Sequence, residues 1–131
     1  MPNDKDRQVQ FSLIKRAKSF AHAGRGISVF IKTTHNAWVH IVILIGAVLL
    51  GFYFNIPYSD WMLLTFAAGM VLAAEAFNTA IEIDIDLTSP TFHPYARDTK
   101  DVAAGAVLIT AITATIIGFG IFGHHFLDLL Q

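Results

Sequence analysis

Residues 61–82 read WMLLTFAAGMVLAAEAFNTAIE, and this stretch decides the fold. Up to residue 81 it is apolar enough to cross a bilayer, yet Glu75 and Asn78 lie inside the run, and Glu82 and Asp86 follow directly. At about 100° per residue from Glu75, the residues Asn78, Glu82 and Asp86 fall at roughly 300°, 340° and 20°. These four share one narrow helical face, while Asp84 falls on the opposite side. A carboxylate at bilayer depth costs about 3 kcal/mol on insertion scales, so it faces protein or water and marks function. The stretch predicts a membrane-spanning helix with one polar working face.

Two further apolar runs flank it. Residues 37–54 (AWVHIVILIGAVLLGFYF) are interrupted only by His40, and residues 102–123 (VAAGAVLITAITATIIGFGIFG) carry no charge. Each is near the roughly 20 residues that span a hydrocarbon core. The short turn 55–60 joins the first two spans, with Asn55 and Pro57 as turn formers. Phe52, Tyr53, Phe54, Tyr58 and Trp61 form an interfacial aromatic belt around it. The chain is 131 residues long and 54% hydrophobic, enough for one domain and too apolar for an ordinary soluble one. The lack of cysteine excludes a disulfide framework and a thiolate metal site. A net charge of −1 argues against a nucleic-acid partner.

Charge placement predicts orientation. All nine Lys and Arg lie at positions 5–32 or at Arg97 and Lys100, and none lies in the 55–60 turn or after residue 123. The positive-inside rule puts the N-terminus and the segment 83–101 in the cytoplasm. Residues 1–10 read as a polar tail, and the first apolar run starts too late for a cleaved leader. Residues 8–32 read as an amphipathic helix lying in the headgroup plane, with Leu13, Ile14, Ala17, Phe20 and Ala21 on one arc. Gly24 and Gly26 would bend it toward the first span. Segment 87–100 contains Pro90 and Pro94 and reads as a loop at the cytoplasmic mouth. The expected organisation is an all-α integral membrane fold, with a domain over 11–123 holding the surface helix and spans of about 37–54, 61–82 and 102–123. Residues 124–131 form a C-terminal tail.

The chemistry follows from the acidic face. Asn78 and Glu82 are one turn apart, so both can reach one hard cation, and Mg²⁺ takes a few such oxygens plus substrate phosphates. Glu75 lies two turns deeper than Glu82, suited to a base acting on a group presented from the lipid phase. Lys100 and Asp101 open the third span, and Lys100 lies across the loop from the acids, where it could pair with phosphate oxygens or anchor the helix at the interface. Lys15, Arg16 and Arg25 could do the same. Acids for Mg²⁺ with lysines for phosphate make the parts of a phosphoryl-transfer site. There is no Walker-type or kinase-type glycine loop. None of the six histidines has zinc spacing, and His22 and His93 are weak signals by themselves. Ala106, Thr110, Ala114 and Gly118 form a small-residue stripe for close helix packing. Three short spans enclose a polar site poorly, so an oligomer is expected.

Glu75-Ala-Phe-Asn78-Thr-Ala-Ile-Glu82, then Asp86, His93 and Lys100-Asp101-Val-Ala-Ala-Gly-Ala-Val-Leu, resembles the signature of the small prokaryotic diacylglycerol kinases and their undecaprenol kinase relatives. The segments Ser19-Phe-Ala-His-Ala-Gly-Arg-Gly-Ile and His35-Asn36-Ala-Trp-Val-His40 resemble it too, so the likeness covers roughly residues 11–122. It implies a multi-pass homotrimer in the inner (plasma) membrane of a prokaryote, acting in phospholipid metabolism. The implied reaction moves the γ-phosphate of ATP, with Mg²⁺, to a lipid hydroxyl. Glu75 matches the general base and Asn78 the residue beside it, and Glu82 matches a metal carboxylate. Thr91, Phe92, His93, Lys100 and Asp101 match nucleotide contacts, as do Lys15 and His22 on the surface helix. The chain departs from the pattern at Thr34, where the family usually has a second metal-binding Glu, and at Trp38, where many members carry Arg. Two rivals remain: a catalytically impaired relative with a structural role, and a small ion- or proton-conducting membrane protein using Glu75.

Overall fold

The computed structural model describes residues 13–130, with side chains described from residue 16 onward. The polar tail 1–10 lies outside the described residues. Four helices make up the described chain: α1 (Leu13–Thr33), α2 (His35–Tyr53), α3 (Tyr58–Thr88) and α4 (Pro94–Asp128). The last three are each long and apolar enough to cross a membrane. Their many exposed large apolar side chains, from Val42 and Ile43 on α2 to Ile116 and Phe119 on α4, suit contact with lipid.

The helices overrun the apolar runs that predict them. At 1.5 Å per residue, α3 with 31 residues is about 46 Å long and α4 with 35 about 52 Å. A hydrocarbon core is about 30 Å thick, so both project beyond it. The segment expected to be a loop over 87–100 is therefore mostly helix. Only residues 89–93 are non-helical, because Pro94 sits at the first position of α4, where its missing N–H and fixed φ fit a helix start. Helix α4 also runs on through His124 and His125. The bend expected at Gly24 and Gly26 is absent, since α1 passes through both as helix. Glycine inside a helix costs about 1 kcal/mol against alanine but does not break it. The break falls instead at Thr34, whose φ of −100° and ψ of 107° are extended.

Helices α3 and α4 form the most extensive pairing, α2 packs on α3, and α1 touches both α2 and α3. The main apolar core lies at the end carrying the α2–α3 turn. Ile56, Leu64, Ile121 and Phe122 are buried there, with Ala47, Leu50, Phe54, Trp61 and Ile117 packed around them. A Schellman closure ends α2: Ile56 N–H donates to Gly51 C=O (3.1 Å) and Asn55 N–H to Phe52 C=O (3.2 Å). Asn55 supplies the left-handed residue this closure needs, with φ of 50°. Gly51 allows the close approach, since a Cβ there would lie 2.7 Å from Trp61 Cη2.

Candidate functional site

On α3 the buried positions Leu64, Ala67, Val71, Glu75 and Asn78 recur every three or four residues, and buried Thr79 lies one turn after Glu75. The inward stripe thus turns from apolar to polar within one helix, so the acid of the hydrophobic run points into the bundle. Glu75 is 1% exposed, the only large side chain so fully buried among the described residues. Its Oε1 has no hydrogen-bond partner there, nor has the buried Oδ1 of Asn78. Burying such atoms unpaired costs about 1–3 kcal/mol each, so each marks a place for a donor or a cation.

One turn on, Asn78 Nδ2 donates to Glu82 Oε1 at 3.0 Å, and Glu82 itself is exposed. The bond fixes the amide so that its oxygen is left for something else. A second polar chain runs along the adjacent side of the helix. Thr79 Oγ1 donates to the Glu75 carbonyl at 2.9 Å and lies 2.6 Å from Thr34 Oγ1 at the α1–α2 break.

The remaining sequence-expected residues divide. Lys100 Nζ is paired with Asp86 Oδ1, which ties the start of α4 to the end of α3 and brings the cation beside the acidic face. Asp101 is exposed and lies 4.0 Å from Arg97 Nε, a surface pair. His93 caps α4, its Nδ1 accepting from Tyr95 N–H at 3.2 Å. Thr91 and Phe92 are exposed in the 89–93 connection, and His22 is exposed on α1. The side chain of Lys15 lies outside those described. The structure therefore brings together Glu75, Asn78 and Glu82, with Lys100 near by through Asp86. Thr79 was not singled out by sequence reading, although its place one turn after Glu75 was the available signal.

Among the described residues no group of three or more His, Asp or Glu could hold a metal by itself. The donor set still fits Mg²⁺ carried on a triphosphate. One carboxylate (Glu82) and one orphaned amide oxygen (Asn78) are hard ligands, and such sites leave the remaining positions to phosphate and water.

Known proteins resemble this chain over most of its length. The family model described as prokaryotic diacylglycerol kinase matches residues 21–122. An undecaprenol kinase of Bacillus subtilis is 39% identical over 105 residues, covering 80% of this chain and 85% of that protein. A diacylglycerol kinase of Synechocystis is 33% identical over 101 residues, 76% of this chain and 58% of its own length. A diacylglycerol kinase of Helicobacter pylori is 26% identical over 126 residues, 91% of this chain and 95% of its own. The matched region contains the buried acid, the amide–carboxylate pair and the lysine at the head of α4, and the chain belongs to the prokaryotic diacylglycerol kinase family, a family of membrane lipid kinases.

Proposed function

We propose that the protein phosphorylates the hydroxyl of a membrane lipid, undecaprenol or diacylglycerol, with ATP as donor and Mg²⁺ as cofactor. The observation that carries this reading is Glu75, buried to 1% with an unpartnered carboxyl oxygen in a membrane-spanning helix, one turn from the buried Asn78 and two turns from the exposed Glu82 to which Asn78 is bonded. A lipid hydroxyl arriving through the bilayer would hydrogen-bond to that oxygen. Its proton passes to Glu75 as its oxygen attacks the γ-phosphorus, and the bond to the ADP oxygen breaks. Glu82 and Asn78 would hold Mg²⁺, which neutralises phosphate charge. Lys100 exchanges its Asp86 partner for phosphate oxygens, while Thr91, Phe92, His93, Asp101, His22 and Lys15 lie on the nucleotide side.

The same reading includes a homotrimer, α1 lying on the cytoplasmic face, and the 55–60 turn on the far side. The similarity to the undecaprenol kinase of Bacillus subtilis favours the isoprenoid alcohol. Transfer of radiolabel from ATP to each lipid by purified protein tests activity and substrate together. Label in undecaprenol is expected, and label in neither lipid would refute the assignment.

A further inference from the structure

We infer that Thr34 is a positioning residue whose hydroxyl, bound to Thr79, holds the α1–α2 junction against the turn of α3 that carries Glu75. The inference rests on the kinase reading above and deepens it.

Thr34 is the single residue between α1 and α2 and the N-cap of α2. An N-cap threonine ordinarily turns its hydroxyl onto the free N–H groups of its own helix. Thr34 makes no such side-chain cap. Its Oγ1 instead lies 2.6 Å from Thr79 Oγ1, 45 positions along the chain. The direction follows from proton counting. A hydroxyl has one proton, and Thr79 gives its own to the Glu75 carbonyl at 2.9 Å. Thr34 must therefore donate to Thr79, and the chain of bonds runs Thr34 to Thr79 to the backbone of Glu75.

Thr79 is 6% exposed, so the bond is largely shielded from competing water. Ala37, three residues past the junction, is 0% exposed, and α1 contacts α3 directly. The junction is thus pressed onto the polar end of α3, and this hydroxyl pair sets its register there. Without it the helix end can slide on α3, and Glu75 loses its fixed position toward the acceptor hydroxyl. Misplacement by about 1 Å can cost about a hundredfold in rate without weakening substrate binding.

The test compares Thr34→Val, Thr34→Ser, Thr79→Val and the Thr34→Val/Thr79→Val double variant as full chains in lipid vesicles. Thr34→Val and Thr79→Val should each lower kcat roughly tenfold or more, with KM for ATP within about twofold of wild type. Thr34→Ser should restore most of the rate, and the double variant should be no worse than either single. Wild-type kcat in Thr34→Val, no rescue by serine, or additive losses would overturn the assignment. A readout independent of turnover uses the lack of native cysteine. Spin labels at Lys32→Cys and Ile83→Cys, both exposed positions, should report one narrow distance that broadens in Thr34→Val and narrows again in Thr34→Ser. If the wild type phosphorylates no lipid, the kinase reading fails, and the spin-label distances still decide the tie. An unchanged distribution in Thr34→Val overturns it.

Discussion

At the scale of single residues, the site is a set of acceptor oxygens held ready. Glu75 Oε1 and Asn78 Oδ1 are buried and unpaired, and the other half of the Asn78 amide is fixed by Glu82. A positioned general base contributes about 10²–10⁴ in rate, so Glu75→Gln should lower kcat by about that factor. The variant keeps the shape of the side chain, so helix content by circular dichroism should match wild type. Wild-type turnover would remove Glu75 from the base role. Lys100 lends itself to a different measurement. Its ion pair with Asp86 is half exposed and adds little stability, and the proposed reading gives it phosphate as a second partner. Lys100→Met should raise KM for ATP roughly tenfold, the loss of one charge-assisted contact. Thermal stability should barely change, and an unaltered KM would confine Lys100 to its pairing with Asp86.

At the scale of elements, the α2–α3 turn and the α1–α2 break do different work. The turn depends on Gly51 and Asn55. Gly51→Val would push side-chain atoms into the Trp61 ring and should destabilise the fold by about 1–3 kcal/mol. It should appear as a lower midpoint in thermal unfolding in detergent, while an unchanged midpoint would mean that the Trp61 ring moves aside freely. Asn55→Val places a β-branched residue at φ of 50° and should cost about 1–2 kcal/mol, whereas Asn55→Gly should be nearly neutral.

The elements were legible in the sequence to different degrees. The three spans could be read because apolar length is a direct property of the chain, and so could the inward face of α3, because helical spacing puts Glu75 and Asn78 on one side. The start of α4 could not, since Pro94 forbids a helix interior and permits a helix start equally well. The Thr34–Thr79 and Lys100–Asp86 pairs were also hidden. Periodicity says which face a residue occupies but not which helix that face meets. Thr34 stood out only as a departure from the family pattern, whereas the structure gives it a partner 45 positions away.

At the scale of the whole molecule, a single chain leaves much of α2, α3 and α4 apolar and exposed, and Glu82 stands at the surface rather than in a closed pocket. The proposed trimer would bring further helices to this site. Native mass spectrometry from detergent should show three copies, and a monomer that retains full specific activity would exclude a site shared between subunits. Orientation can be read from cysteines introduced at Ser59 and Thr91 in this cysteine-free chain. A membrane-impermeant thiol reagent added to intact cells should label only position 59.

The main apolar core gathers near the α2–α3 turn, whereas polar ties such as Thr34–Thr79 and Lys100–Asp86 join the other end. Such a bundle behaves like tweezers, welded at the hinge and lightly latched at the tips. The weld and the latches lie at opposite ends, so hardening the hinge by design should raise heat tolerance and leave turnover alone.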